Sequence, residues 1–115
     1  MFIATVIVSV LLAALLVFSA IGKLRRDPAQ MKTMRQVGFP EDRVWSLAAA
    51  ETAGAVGLVA GLFVWPLGVA AAVGVIVYFI GAGAAHLRVR DTNIAAPVII
   101  LLVAAADLAL RLLSA

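Results

Sequence analysis

Between Val44 and Ala85 the chain carries a single charged residue, Glu51. As one helix this stretch would be roughly 60 Å long, about twice the hydrocarbon layer of a bilayer, so it must fold back on itself. The break is predicted at Trp65-Pro66, because proline has no backbone donor and disfavours helical geometry in the residue before it. Two membrane spans result, Val44 to Trp65 and Pro66 to Ala85. The tryptophans support these limits independently of hydropathy. Trp45 and Trp65 are twenty residues apart, ~30 Å along a helix, which puts one indole at each headgroup boundary.

Two further apolar runs complete the pattern. Phe2 to Gly22 has no charge at all, and Ile94 to Leu113 has only Asp107 and Arg111, near its end. A cleavable leader would carry basic residues ahead of its apolar run, whereas Lys23, Arg25 and Arg26 follow this one, so the first segment is expected to stay in the mature protein. Composition agrees with a membrane reading: 65% of the 115 residues are hydrophobic and 13% charged, against about a quarter charged in soluble domains. A membrane barrel would need roughly ten-residue strands of alternating polarity, a pattern these segments lack. The expected fold is all-α: one domain over residues 1–115, a four-transmembrane-helix bundle with spans at about 2–22, 44–65, 66–85 and 94–113.

Four spans place both termini on one side and the segments 23–43 and 87–93 on the other. Those two loops hold eight of the nine Lys and Arg residues. The positive-inside rule therefore predicts cytoplasmic loops and extracytoplasmic termini in a multi-pass protein of the cell membrane. The net charge of +3 follows from this asymmetry and from attraction to anionic lipid, and supplies no separate case for nucleic acid. Within the first loop, Asp27-Pro28 has the form of a helix start, and Gly38 ahead of Pro40 that of a stop. A short amphipathic cytoplasmic helix fits between them, with Met31 and Met34 on one side, either as a docking or lipid-sensing element or as a plain connector whose methionines find apolar contact.

An ionisable side chain at membrane depth costs on the order of 2.5 kcal/mol or more, so each one needs a partner or a purpose. Glu51 lies about 10 Å inside the second span. Lys23 closes the first span and His86 the third on that same side, so the three are expected to converge. Together they can bind and protonate the polar head of an apolar molecule such as a quinone, or they can satisfy one another and set the register of three helices. Tyr78, midway along the third span, is a secondary candidate for lining a ligand cavity. Asp107 and Arg111, four apart with the acid first, are expected to pair at the outer membrane edge, with Arg111 free to reach toward water. Ala50, Gly54, Gly57 and Gly61 form a small-residue stripe beside Glu51, and Gly74, Gly81 and Gly83 with Ala85 are the expected opposing surface.

Several chemistries lack their residues. The chain has no cysteine and one histidine, which argues against disulfides, cluster ligation and a protein-held metal. It has no phosphate-binding glycine loop, no zinc-protease motif and no nucleophile elbow. Catalysis by this chain alone is not expected.

Lys23-Leu24 after the first span, Gly38-Phe39-Pro40 before the second, Glu51 with the glycine-rich run to Gly61, and Ala85-His86 closing the third resemble, in order and spacing, the DoxX-like family of small four-helix membrane proteins. The resemblance covers nearly the whole chain and implies a four-span protein. The family takes its name from a small membrane subunit of a thiosulfate:quinone oxidoreductase, and some eukaryotic relatives look like assembly chaperones for membrane receptors. Any thiol-based role of relatives cannot carry over to a chain without cysteine, whereas Lys23, Glu51 and His86 match the family's polar positions. Three functions compete: an accessory subunit that anchors a redox partner and holds a quinone-like molecule, an assembly factor that shields other membrane helices, and a self-associating permease. No continuous polar path is readable for the last.

Overall fold

The computed structural model of the chain describes residues 2–88 and 95–113, with the backbone alone at Glu41, Ala95 and Ala96. Most of the predicted loop 87–93, and Ile94, therefore lie outside the described residues. Five α-helices make up the fold, and no strand occurs among the described residues. They are α1 (Phe2–Leu24), α2 (Pro28–Val37), α3 (Val44–Ala60), α4 (Trp65–Arg88) and α5 (Ala95–Leu113), with a 3-10 turn at Glu41–Arg43 leading into α3.

The short helix α2 forms for the local reasons the sequence suggests. Asp27 caps it, its Oδ2 accepting the Gln30 N–H at 3.2 Å, and Pro28 fills the first position, where no amide donor is needed. Gly38 ends it at φ 77°, a left-handed conformation that a side chain would disfavour, and its N–H returns to the Arg35 carbonyl. Met31 is buried and Met34 half-buried, so Met31 packs against protein.

The break between α3 and α4 falls earlier than the proline suggests. α3 ends at Ala60, residues 61–64 form the turn, and Trp65 already belongs to α4. Pro66 thus sits in the first turn of α4, where its missing N–H costs nothing. What sets the turn is the approach of two glycines: a Cβ added to Gly61 would lie 2.1 Å from Cα of Gly68. Only a pair of glycines lets the two backbones come this close.

α1 packs against α3 and α5, and α4 packs against the same two helices, so the four long helices close a ring. Leu12 and Leu16 of α1, Leu58 of α3, Ala72 and Val75 of α4 and Ala104 of α5 fill its centre. The α3–α4 seam uses other glycines than those expected. Gly54 faces Val75, Gly57 faces Ala71 and Gly61 faces Gly68, while Gly74, Gly81 and Gly83 have nothing within 4 Å of an added Cβ. The reason is register: the face of α4 turned to α3 runs through positions 68, 71 and 75, and Gly74 and Gly81 lie exposed on its flank.

Along the four long helices, up to the exposed Arg88 at the end of α4, the distribution of polarity is the reverse of a water-soluble protein, while the charges of segment 25–43 are exposed. Phe18, Ile3 and Phe63 are 78%, 75% and 88% exposed, whereas Lys23, Glu51, Asp107 and Arg111 are buried. Apolar side chains on the outside and charges on the inside suit surroundings of lipid. α1 and α4 are long and apolar enough to cross a membrane, and α3 is a shorter apolar helix of 17 residues.

Candidate functional site

The buried charges form two clusters at opposite ends of the ring. The first lies where α1 and α4 begin and α3 and α5 end. Here Arg111 Nε donates to Asp107 Oδ2 at 2.8 Å, and Nη2 donates both to Ser9 Oγ at 2.8 Å and to the Leu58 carbonyl at 2.7 Å. The Ser9 hydroxyl in turn donates to Asp107 Oδ1 at 2.5 Å. Gly68 completes the cradle, because a Cβ there would fall 1.8 Å from Arg111 Nη1. Trp65 Nε1 donates to the Arg111 carbonyl at 2.8 Å, tying the start of α4 to the end of α5.

The expected Asp107–Arg111 pair therefore exists, but its setting differs from the expectation. Asp107 is 0% and Arg111 2% exposed, so the guanidinium does not reach toward water. It turns inward because Ser9, the Leu58 carbonyl and the space over Gly68 receive it. Both Asp107 oxygens and the Ser9 hydroxyl are occupied, which leaves this end closed to a ligand. Sequence reasoning overlooked Ser9. Its signal was present in Thr5 and Ser9, which are four apart and so share one face of α1; both are buried.

The second cluster lies where α1 ends and α3 begins. Lys23 Nζ approaches Glu51 Oε1 at 2.9 Å, with side-chain exposures of 8% and 1%. Lys23 also donates to Ser19 Oγ at 2.8 Å, one turn back on α1. Tyr78 of α4 interacts with the same carboxylate. Three helices thus meet at Glu51. The Lys23 ammonium pairs with Oε1 and the Tyr78 side chain reaches the same carboxylate, so the acid is held from two helices at once. A carboxylate has about four lone-pair positions, so these two neighbours leave it room for a further donor.

His86 is half-buried and has a partner of its own, eight residues beyond Tyr78 on α4, roughly 12 Å farther along the helix. From α4 it is Tyr78 whose interaction with Glu51 is seen.

Helix α2 covers the same end. Gln30 sits in a notch at Gly22, with its Nε2 donating to the Ser19 carbonyl at 3.2 Å. The Ser19 hydroxyl is the one that Lys23 uses, so α2 is joined to Glu51 through three consecutive polar contacts. Apart from both clusters, an open groove of about 710 Å3 follows the outer face of α3 from Trp45 to Ala60, lined by small apolar residues such as Ala49 and Ala53, and Glu51 does not border it.

Among the described residues, helices with an apolar exterior and two ion pairs buried between them describe a small membrane protein. The chain belongs to the DoxX-like family, whose pattern it matches over residues 7–107. No curated protein and no solved structure matches it. Family membership makes it a membrane protein, in agreement with the inverted distribution of polarity.

Proposed function

We propose that the protein is a multi-pass, four-span accessory subunit of the cell membrane that holds the polar head of a quinone-like or other apolar molecule at Glu51, in support of a redox partner. The observation that carries this reading is the contrast between the two clusters. The Ser9–Asp107–Arg111 end is saturated with hydrogen bonds, whereas the Glu51 carboxylate, 2% exposed, is met by the Lys23 ammonium and the Tyr78 side chain and keeps acceptor positions over. Groups present only to hold helices together are normally paired, as the first set is. An acid kept buried and underused fits a site that a ligand completes, and Lys23 and Tyr78 supply a cation and a hydroxyl beside it.

The topology rests on length and charge. α3 and α5 have 17 and 19 residues, roughly 26 and 28 Å, close to the bilayer core. With both crossing beside α1 and α4, the basic segment 23–43 faces the cytoplasm and the closed Arg111 end faces outward.

Native mass spectrometry of the protein extracted gently from its own membrane tests the reading. A small apolar molecule retained by the wild type and lost in Glu51→Gln supports it. A chain that carries only bulk lipid, with no difference in the variant, contradicts it. The groove along α3 favours a second reading, an assembly factor or self-associating scaffold that receives a partner helix on its small-residue face. Its mark is a fall in the abundance of a client membrane protein on deletion, with no ligand at Glu51.

A further inference from the structure

The open groove on the outer face of α3 is apolar along its length and has charge beside one end only. Leu24 of α1 and Trp45 of α3 line that end, and Ala60 of α3 with Leu67 of α4 line the other. Trp45 and Ala60 are fifteen residues apart, ~22 Å along the helix. That is the reach of one extended acyl chain. Small side chains, Ala49 and Ala53 among them, open the channel to about 710 Å3, within the ~300–1,000 Å3 typical of sites that hold small molecules.

The charge sits where the head of an amphiphile would lie. Arg25 directly follows Leu24, Arg43 stands two residues before Trp45, and both arginines are exposed. The corner that carries Arg25 is fixed by backbone bonds: the Arg26 N–H donates to the Lys23 carbonyl at 3.1 Å and the Asp27 N–H to the Gly22 carbonyl at 2.9 Å, with Arg26 in the left-handed position at φ 54°. At the opposite end, residues 60–67 carry no charge. An occupant with one anionic head and an apolar body matches this asymmetry.

A second copy of the chain fits the groove less well. A two-fold interface sets one patch against itself, and a groove facing a groove encloses a void. An acyl chain instead takes the shape of the channel. The Trp45 side chain, 64% exposed, stands at the basic end as an indole does at headgroup depth.

We propose that this groove binds one anionic phospholipid from the leaflet on the side of segment 23–43, with its phosphate at Arg25 and Arg43 and an acyl chain laid along Ala49 and Ala53 toward Ala60. Glu51 does not border the groove, so this site is independent of the ligand-binding reading above.

The test is native mass spectrometry of the full chain, delipidated in detergent and titrated with phosphatidylglycerol or phosphatidylcholine of the same acyl chains. One phosphatidylglycerol is expected to bind saturably, about tenfold or more tighter than phosphatidylcholine, because two arginines act on the anionic head. Arg25→Gln combined with Arg43→Gln should bring the two lipids within about threefold of each other. Lys32→Gln, which removes an exposed cation of α2 that does not line the groove, should leave the preference unchanged. Ala53→Leu keeps every charge but fills the channel, and should weaken both lipids by about fivefold or more. Ala53 is exposed, so the variant is expected to unfold at the wild-type midpoint, which a thermal scan verifies. Undiminished phosphatidylglycerol binding by folded Ala53→Leu would reduce the effect to general attraction between a basic loop and acidic lipid, and overturns the proposal. Equal affinity of the wild type for the two lipids overturns it, as does a preference that survives loss of both arginines. A lipid-free dimer dissolved by Ala53→Leu would give the groove to a second copy and overturn it as well.

Discussion

The guanidinium of Arg111 lies where a side chain on Gly68 would begin, with Nη1 at 1.8 Å and Cζ at 2.8 Å from an added Cβ. One glycine on α4 is therefore a condition for burying an arginine from α5. Gly68→Ala must displace the guanidinium from Ser9 and the Leu58 carbonyl, and is expected to cost about 1–3 kcal/mol. Gly61→Ala is expected to be worse, because its Cβ would meet the Gly68 backbone itself. Gly74→Ala and Gly81→Ala face open space in a helix and should be neutral or stabilising by about 0.5–1 kcal/mol. Thermal unfolding of the four variants in one detergent checks this order, and a Gly68→Ala protein as stable as Gly74→Ala would contradict the cradle.

Breaking the closed cluster from one side should cost more than removing it whole. Arg111→Leu leaves Asp107 charged at 0% exposure and is expected to destabilise by about 3–5 kcal/mol. Adding Asp107→Leu should recover part of the loss, although Ser9 and the Leu58 carbonyl then lack a partner. A double-mutant cycle on denaturant or thermal midpoints measures the coupling. Additive single effects would show that the two residues are not the unit described.

At the other end the same experiment should read differently. Lys23 lies in the last turn of α1, next to exposed Arg25 and Arg26, so its long side chain has a short path to water once its partner is neutral. Lys23→Leu combined with Glu51→Leu is expected to be as stable as wild type or more so, because apolar packing commonly replaces a buried ion pair without loss. A fall of more than about 2 kcal/mol in this double variant would assign the pair a structural role instead.

The latch between α2 and α1 should be a local feature. Gly22→Ala would meet only the flexible end of Gln30, so the expected outcome is loss of the Gln30–Ser19 contact at about 1 kcal/mol or less. Gly38→Ala strains a left-handed backbone and should fray the end of α2, also at about 1 kcal/mol. Limited proteolysis within residues 25–40 should rise in both variants. Cleavage within α3 should not.

Much of this architecture was legible before any coordinates, because hydrophobic length and turn chemistry act locally. The apolar runs located the long helices to within a few residues, and Asp27-Pro28 and Gly38 marked both ends of α2. The turn after α3 was misplaced because Pro66 is the more visible signal, whereas the Gly61–Gly68 approach is a contact between helices that no single segment contains. The same limit explains the glycine faces: Gly74 and Gly81 have the right spacing for a packing surface, but helix rotation, set by neighbours, turns them outward. Lys23 and Glu51 were found as a pair because both end near the same boundary. The part of Tyr78 is harder to read, because the depth at which Glu51 meets α4 is a matter of tilt.

The account's central claim is that one polar end holds the fold while the other is kept for a ligand. Thermal unfolding of Asp107→Asn and Glu51→Gln, measured side by side in the same detergent, tests it most directly. The account predicts a Tm lowered by about 10 °C or more for Asp107→Asn, and a Tm within about 3 °C of wild type for Glu51→Gln. The reverse order, with Glu51→Gln unfolding early and Asp107→Asn indifferent, would contradict it.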